Sequence, residues 1–376
     1  MNLKQKIVID KIIGIPAVVA AGWVTRLFSL FKKPNAQEIK KIVVCKFAGM
    51  GSIMQSTPLL QTLKINFPEA ELTFVTTVGN KTLLENFPFV DRVVLVNDTG
   101  FKKLITSSFS LIKYLLKNKT DHYIDLEIHS YYSAIITSFS SGKRYGLSKK
   151  KGNLKDGIYS DVVFFDTRIP VAQVYLEFAK LMNCADVISE LYSFEKKSRV
   201  IPGTKPYIVI NPNASDLRLE RRWDYKNYIS LVESLHEFFP DHGIFLTGSA
   251  NEREYVQLIH EKVSQKAIDT SGSLSIEELI RLIDHSDLVI TNDTGPMHLS
   301  IALKKNTIAL FGPCSPEQYT FPENTRVLYK KVSCSPCVHD FLISPCGGDN
   351  QCMKQTKTEE VFQACREMLK KITLPA

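Results

Sequence analysis

Apolar residues recur along this chain in two alternating rhythms. Short β-branched runs, Lys41-Ile42-Val43-Val44-Cys45 and Tyr207-Ile208-Val209-Ile210, read as strands buried on both faces. Each runs into turn-forming residues, Gly49-Met50-Gly51 after the first and Asn211-Pro212-Asn213 after the second. Helical spacing follows both turns: Met54, Leu59, Leu60 and Leu63 in one case, Tyr228, Leu231, Val232 and Leu235 in the other. Pro58 is expected near the first turn of its helix, where a missing N–H leaves no carbonyl unpaired. The alternation continues with strands over 71–77, 92–96, 122–128, 243–247, 288–291 and 307–311. Helices are expected over 103–117, 255–263, 276–283 and 297–303.

Strands that alternate with helices predict parallel sheets covered on both faces. A chain of 376 residues exceeds one ordinary core, so the expectation is two doubly wound α/β domains. The polar segment 196–205, with Pro202 and Gly203, divides them into 37–198 and 199–376. The residues before them, 1–36, form a separate leader.

That leader holds an apolar run over 12–24, broken by Gly14, Pro16 and Gly22. Lys4, Lys6 and Lys11 precede it, and Arg26, Lys32 and Lys33 follow. It falls short of the roughly 20 apolar residues a spanning helix needs. A basic start and apolar middle also fit an export signal. The preferred reading is an interfacial segment in which Trp23, Leu27, Phe28, Leu30 and Phe31 enter the headgroup boundary. A helix packed on the following domain is the alternative.

A net charge of +8 adds an anionic partner to the picture, a phosphorylated ligand or a membrane surface. Nucleic acid is disfavoured, because the basic residues are scattered without an aromatic-interleaved stripe. Of eight cysteines, Cys45 and Cys184 sit in apolar surroundings, while Cys314, Cys334, Cys337, Cys346, Cys352 and Cys365 crowd the end of the chain. That distribution suits a reducing compartment better than a secreted scaffold. Within 334–352 the spacing Cys334-x2-Cys337-x8-Cys346-x5-Cys352 offers four thiolates for zinc, although the second pair is not the usual close knuckle. Buried free thiols or a redox pair are the competing readings.

Ligands of doubly wound sheets bind beyond the carboxyl ends of strands, and the polar clusters lie there. Thr291-Asn292-Asp293-Thr294-Gly295-Pro296-Met297-His298 follows a strand and opens a helix. Asp293 or Thr294 is placed to cap, Pro296 suits the first turn, and free amides would face a diphosphate. Gly49 and Gly51 permit close approach of a ligand to the first loop, without the spacing of a dinucleotide or Walker motif. Asn213-Ala214-Ser215 with Arg218, Arg221 and Arg222 joins hydroxyls and amides to guanidinium groups suited to a leaving diphosphate. Asp125, Glu127 and His129 end a strand, with both carboxylates expected on one face, and either could serve as a general base.

These features together resemble glycosyltransferase family 9, the ADP-heptose:lipopolysaccharide heptosyltransferases. The resemblance runs from about Lys41 to the C-terminal helix. It is carried by Asp293-Thr294-Gly295-Pro296-Met297-His298, Ala309-Leu310-Phe311-Gly312-Pro313, Gly272-x-Leu274 and Glu278-Leu279. Gly49-Met50-Gly51 leading to Thr57-Pro58-Leu59-Leu60, Arg221-Arg222-Trp223, and Cys334-x2-Cys337 with a later Cys352-Met353 also fit. It implies a GT-B architecture of two Rossmann-like domains facing a central cleft, acceptor on the first and nucleotide sugar on the second.

It further implies inverting transfer without a metal or other cofactor, and no Asp-x-Asp contradicts that. By position, Asp293, Thr294, Gly295 and His298 lie at the donor diphosphate and nearby sugar. Ser215 and Arg221 match the phosphate-binding segment, and Glu252 the acidic residue at the nucleoside. Where the family's first loop carries the aspartate proposed as base, this chain has Ser52. A serine hydroxyl is a poor base near neutral pH, so Glu127 or Asp125 is expected to take that role.

The expected reaction is heptosyl transfer from ADP-heptose to a lipopolysaccharide-core or related glycolipid, at the cytoplasmic face of the inner membrane. The alternatives are another sugar nucleotide serving a different surface glycan, or a catalytically silent sugar-nucleotide-binding scaffold.

Overall fold

The computed structural model describes residues 10, 14–23, 25, 38–47, 49–150, 152–194, 206–214, 218–338, 341 and 344–373. The chain divides into two compact units, Met1–Tyr192 and Ser193–Ala376.

The first unit begins with a helical stretch, 14–23 (α1). It continues through β1 (Lys41–Cys45), α2 (Met50–Asn66), β2 (Glu71–Thr77), α3 (Lys81–Leu84), β3 (Arg92–Val96) and α4 (Phe101–Lys117). β4 (His122–Asp125), α5 (Tyr131–Ser138), β5 (Lys143–Ser148), β6 (Asp161–Phe164) and α6 (Val171–Leu181) complete it. The second unit runs β7 (Tyr207–Asn211), α7 (Tyr225–Phe238), β8 (Gly243–Leu246), α8 (Arg253–Val263), β9 (Ile268–Asp269) and α9 (Ile276–Asp284). It ends with β10 (Leu288–Asn292), α10 (Gly295–Ala302), β11 (Thr307–Phe311), β12 (Thr325–Tyr329), α11 (Gln351–Lys354) and α12 (Thr358–Thr373).

The two sheets are ordered β3-β2-β1-β4-β5-β6 and β12-β11-β10-β7-β8-β9, and every pairing is parallel. Counted within its own unit, each sheet has the doubly wound order 3-2-1-4-5-6. Its ligand crevice lies where the strand order reverses, between β1 and β4 and between β7 and β10. The apolar runs explain why these strands are central. β7, β10 and β11 are buried at every position, as strands covered on both faces must be.

Two local expectations change. Pro58 lies deep inside α2, not in its first turn. The carbonyl its missing N–H would have bonded is that of Met54, and the Thr57 hydroxyl donates to that oxygen at 2.7 Å instead. The fourth strand stops at Asp125, three residues before the expected end. There the Asp125 carboxylate accepts from Glu127 N at 2.9 Å, which turns the chain away from the sheet.

The described part of the leader packs on the first unit. Val18 is buried against Ala134, Ile158 and Tyr159. Asp10 accepts from the backbone N–H groups of Tyr131 and Tyr132 at 2.9 and 2.7 Å, capping the start of α5. A Cβ on Gly14 would stand 2.7 Å from that of Tyr131, so the close approach requires glycine. Trp23 remains 71% exposed. Lys4, Lys6, Lys11, Arg26, Leu27, Phe28, Leu30, Phe31, Lys32 and Lys33 lie outside the described residues.

Candidate active site

In the second unit, the crevice at the ends of β7 and β10 is built around Asn292. Its side chain donates to the carbonyls of Pro212 and Asn213 at 3.0 and 2.9 Å and accepts from the Tyr228 hydroxyl at 3.0 Å. Asn292 is therefore a peg that fixes the β7 loop against the β10 loop, fully buried and spent on structure. Asn211, level with Thr291 in the sheet register, donates to the hydroxyls of Thr294 and Thr291 at 2.8 and 3.2 Å.

This network decides how α10 begins. Thr294 is its N-cap residue, yet no side chain caps the helix. The Thr294 hydroxyl is held by Asn211 and donates to Asn292 O at 3.3 Å. Asp293 turns instead to Arg221, whose Nη1 lies 3.5 Å from Oδ2 and donates to the Asp293 carbonyl at 3.2 Å. Neither residue fills the capping role expected of it, so the helix start keeps its positive end open, the arrangement that receives an anion.

Asp293 is 2% exposed, both its carboxylate oxygens are buried, and its ion pair with Arg221 is loose. Burial acts to lower the Arg221 pKa, but Cys314, Asp293 and Tyr319 around it outweigh that and hold the guanidinium charged. Its Nε is buried without an acceptor among the described residues. His298 stands 3.9 Å from Asp293 Oδ1, edge-on to the Tyr319 ring at 4.8 Å. Burial pushes its pKa down to about 4, so the imidazole is neutral near pH 7.

The neighbouring arginines serve elsewhere. Arg218 donates to the carbonyls of Val338 and Phe341 at 2.8 and 2.6 Å, and Arg222 lies over the Tyr255 ring at 4.3 Å. Glu252 closes a capping box with Ser249 just beyond β8, accepting from Ser249 N and Oγ at 2.8 Å each. Ser215 lies outside the described residues.

The first unit holds a charged cluster in the equivalent crevice. Gly49, with φ of 87°, makes the left-handed turn between β1 and α2 that glycine alone adopts freely. Gly51 and Ser52 stand in the first turn of α2, and Ser52 hydrogen-bonds the Tyr175 hydroxyl from α6. Glu127 Oε1 receives Lys46 Nζ and Phe47 N, each at 2.8 Å, and Lys155 Nζ donates to the Glu127 carbonyl at 2.6 Å.

Asp125 is fully buried. Its Oδ2 accepts from the Tyr159 hydroxyl at 2.7 Å and its Oδ1 from Glu127 N, and desolvation raises its pKa. Because β4 ends at Asp125, the two carboxylates do not share a strand face as expected. Asp125 points to the buried Tyr159, and Glu127 to Lys46. His129 keeps an exposed edge, and desolvation of the rest of the ring, with Lys149 and Lys155 nearby, pushes its pKa down to about 4.

The expected residues thus fall into two clusters. Arg221, Asp293, Thr294, Gly295 and His298 converge in the second unit, with Glu252 apart from them in its cap. Glu127, Asp125, Ser52, Gly49 and Gly51 gather in the first. Lys46, Lys155, Tyr159, Tyr175, Cys314 and Tyr319 were not anticipated. Only Lys46, directly after an apolar strand, carried a positional signal. Among the described residues, no group of three or more His, Cys, Asp or Glu is arranged to hold a metal ion. Cys352 is packed against Gly312, and the backbone N–H of Cys337 is bonded to Pro313 O at 2.9 Å. No helix among the described residues is long and apolar enough to cross a membrane.

Comparison with known proteins gives the same assignment at three levels. The family model for glycosyltransferase family 9 (heptosyltransferase) matches residues 108–343. Lipooligosaccharide heptosyltransferase 2 of Campylobacter jejuni is 26% identical over 341 residues, covering 88% of this chain and 98% of the relative. The Haemophilus influenzae protein of the same name is 26% identical over 359 residues, covering 88% and 99%.

Among solved structures, a glycosyl transferase family 9 protein from Veillonella parvula superposes with a TM-score of 0.71 at 20% identity. The match covers 90% of this chain and all of that one. Escherichia coli heptosyltransferase WaaC with ADP superposes with 0.67 at 17% identity, covering 87% and 99%. The fold is the GT-B type, two Rossmann-like domains each with its own six-stranded parallel sheet.

Proposed function

The chain belongs to glycosyltransferase family 9, and from that premise we propose that it transfers heptose from ADP-heptose to a lipopolysaccharide-core or lipooligosaccharide acceptor. The observation that carries the donor half is the uncapped start of α10 beside Arg221. A leaving diphosphate needs positive charge in place before the bond breaks. Backbone amides and a fixed guanidinium supply it without reorganisation. Asp293 repels the diphosphate but accepts hydrogen bonds from sugar hydroxyls, so the sugar lies on its side of the site and the phosphates on that of Arg221 and Gly295. His298, neutral at pH 7, adds no charge beside that carboxylate.

The acceptor hydroxyl attacks the anomeric carbon as the bond to the diphosphate breaks, inverting configuration, and its proton passes to a base. Glu127 is our assignment for that base, because Asp125 is fully buried while Glu127 keeps 9% of its surface exposed at the end of the crevice. The 2.8 Å pair with Lys46 fixes the Glu127 carboxylate at the end of the crevice. Charge neutralisation by Arg221 and the helix amides supports a reaction without a divalent cation. Lipooligosaccharide and lipopolysaccharide heptosyltransferases are also what the curated relatives are named. Under this reading the enzyme works at the cytoplasmic face of the inner membrane, where the leader with Trp23 contacts lipid.

The test is transfer in vitro, with ADP-heptose, a heptose-deficient core glycolipid and excess chelator. The expected result is stoichiometric ADP release and a product heavier by one heptose. Turnover only with another nucleotide sugar would replace the donor, and loss of turnover with chelator would replace the metal-free mechanism. Donor binding without transfer to any core acceptor would leave the silent scaffold, the reading that Ser52 sustains.

A further inference from the structure

Helix α4 carries more apolar surface than its fold uses. Leu111 and Leu115 are each 1% exposed and join Val43, Val96 and Ile136 in the core of the first unit. A second apolar row lies outside that contact: Phe101, Ile105, Phe109 and Leu116 are 50%, 39%, 68% and 66% exposed. At 3.6 residues per turn, these four and the half-buried Ile112 fall within an arc of about 80°. The same geometry places Lys102, Lys113 and Lys117 along the outer edge of that arc. The stretch 101–120 holds Lys102, Lys103, Lys113, Lys117 and Lys119 and no Asp or Glu.

A core helix needs one apolar face, and this one has two, the outer one bordered by lysine. We propose that the outer face of α4 docks on an anionic lipid bilayer, lying parallel to it with Phe101, Ile105, Phe109 and Leu116 in the headgroup boundary. The pattern is that of interfacial helices, in which aromatic and aliphatic side chains enter the lipid while lysines meet anionic headgroups. The apolar row and the lysine edge extend over seventeen residues, about 25 Å at 1.5 Å per residue, so the whole helix can lie along one surface. A protein partner fits less well, because lysine is depleted at the centres of such interfaces. A second copy packed antiparallel on this face about a two-fold axis would bring the lysine rows of both helices together.

This surface is distinct from the leader and does not depend on the sugar or acceptor proposed above, since bare vesicles contain neither. The test is partition of the full chain onto vesicles of phosphatidylethanolamine with phosphatidylglycerol, and onto phosphatidylcholine alone. Binding is expected to the anionic vesicles and to weaken as salt is raised. Phe109→Ser with Leu116→Ser should weaken it by about tenfold or more. Lys113→Glu with Lys117→Glu should weaken it by about fivefold for each lysine lost. All four side chains are exposed, so the melting temperature should hold, and transfer to a delipidated acceptor should stay at the parent rate.

As an independent reading, Phe109→Trp in a Trp23→Phe background, read as the difference from Trp23→Phe alone in which the buried Trp223 still emits, should shift its emission to the blue when anionic vesicles are added. Unchanged partition in both double variants, or no emission shift at position 109, would overturn the proposal. So would a fall in oligomeric mass caused by the Ser substitutions, which would assign the face to a second copy.

Discussion

Lys46 Nζ lies 2.8 Å from Glu127 Oε1, with both side chains nearly buried at the end of the first crevice. The pair joins two roles, because Glu127 both neutralises a buried cation and is the proposed base. Glu127→Gln should therefore cut turnover by ~10²-fold or more. It should also destabilise the chain by about 3 kcal/mol, since Lys46 is left buried and unpaired. Adding Lys46→Met should recover much of the stability and none of the turnover. Urea midpoints and kcat on the three variants separate the roles, and recovery of both together would mean that Glu127 is structural only.

Arg221 and Arg222 both have a buried Nε without an acceptor among the described residues, but Arg222 is stacked over Tyr255 and only Arg221 lies against Asp293 at the start of α10. If it waits for the diphosphate, Arg221→Met should lower kcat by about 10²- to 10³-fold, the scale of one lost electrostatic group in a transition state. ADP binding should weaken in parallel by calorimetry. Arg221→Lys should keep more activity than Arg221→Met, since charge survives although the planar fork does not. Equal losses in both would point to packing against Asp293.

His298 gives the second unit a pH signature. Its folded pKa, about 4, lies below the ordinary 6.5 because it is buried. Between those values the unfolded state binds more protons, so stability is present above pH 6.5 and is lost as pH falls toward 4. The full effect is about 3 kcal/mol, taken as roughly 1.4 kcal/mol per pH unit across the window. Carboxylates titrate there too, so the measurement is a difference. Urea midpoints of parent and His298→Gln should converge as pH drops from 7 to 4.5. Parallel curves would show that the ring's protonation is not resisted by the fold.

The strands were legible because buried parallel strands leave an apolar signature that owes little to context. The edges at 71–77, 92–96 and 307–311 came out at the residues expected. Ends set by side-chain hydrogen bonds were not legible. Asp125 stops β4 by accepting from Glu127 N, a choice that alternation along the strand does not encode.

The site was readable where polar residues crowd one turn, as at Asp293 to His298. It was not readable where partners come from distant segments: Lys155 reaches Glu127 from a surface-like run of lysines, and Tyr319 reaches His298 from beyond β11. Asn292 looked like a ligand residue and is a structural peg. Amide groups serve either purpose, and only the positions of the Pro212 and Asn213 carbonyls decide between them.

Pro58 supplies a test of one such local substitution of partners. Thr57→Val would leave the buried Met54 carbonyl without its donor, at a cost of about 1–3 kcal/mol. In a Pro58→Ala background the restored N–H can take that carbonyl, so the same Thr57→Val change should cost less. The remainder reflects the bond that Thr57 Oγ1 accepts from Tyr192 N at 2.9 Å. A double-mutant cycle with no coupling between positions 57 and 58 would reject this account of how α2 tolerates its proline.

Ser52 is where the family's proposed aspartate base is missing, and its hydroxyl is engaged by Tyr175. A hydroxyl so held is no base at neutral pH, so Ser52→Ala should change kcat by less than about threefold, within the scatter of a lost neutral hydrogen bond. The informative variant is Ser52→Asp placed on Glu127→Gln. It returns one carboxylate to the carboxyl end of the same sheet in a background where Lys46 has lost its own partner. Turnover should rise at least about tenfold over Glu127→Gln alone, part of the 10²-fold or more expected from general-base loss. On the parent background the same Ser52→Asp change should bring little, because a second carboxylate near Glu127 raises the proton affinity of both. A rise on the parent background and none on Glu127→Gln would reverse the assignment, making position 52 the place for a base and Glu127 a counter-ion for Lys46.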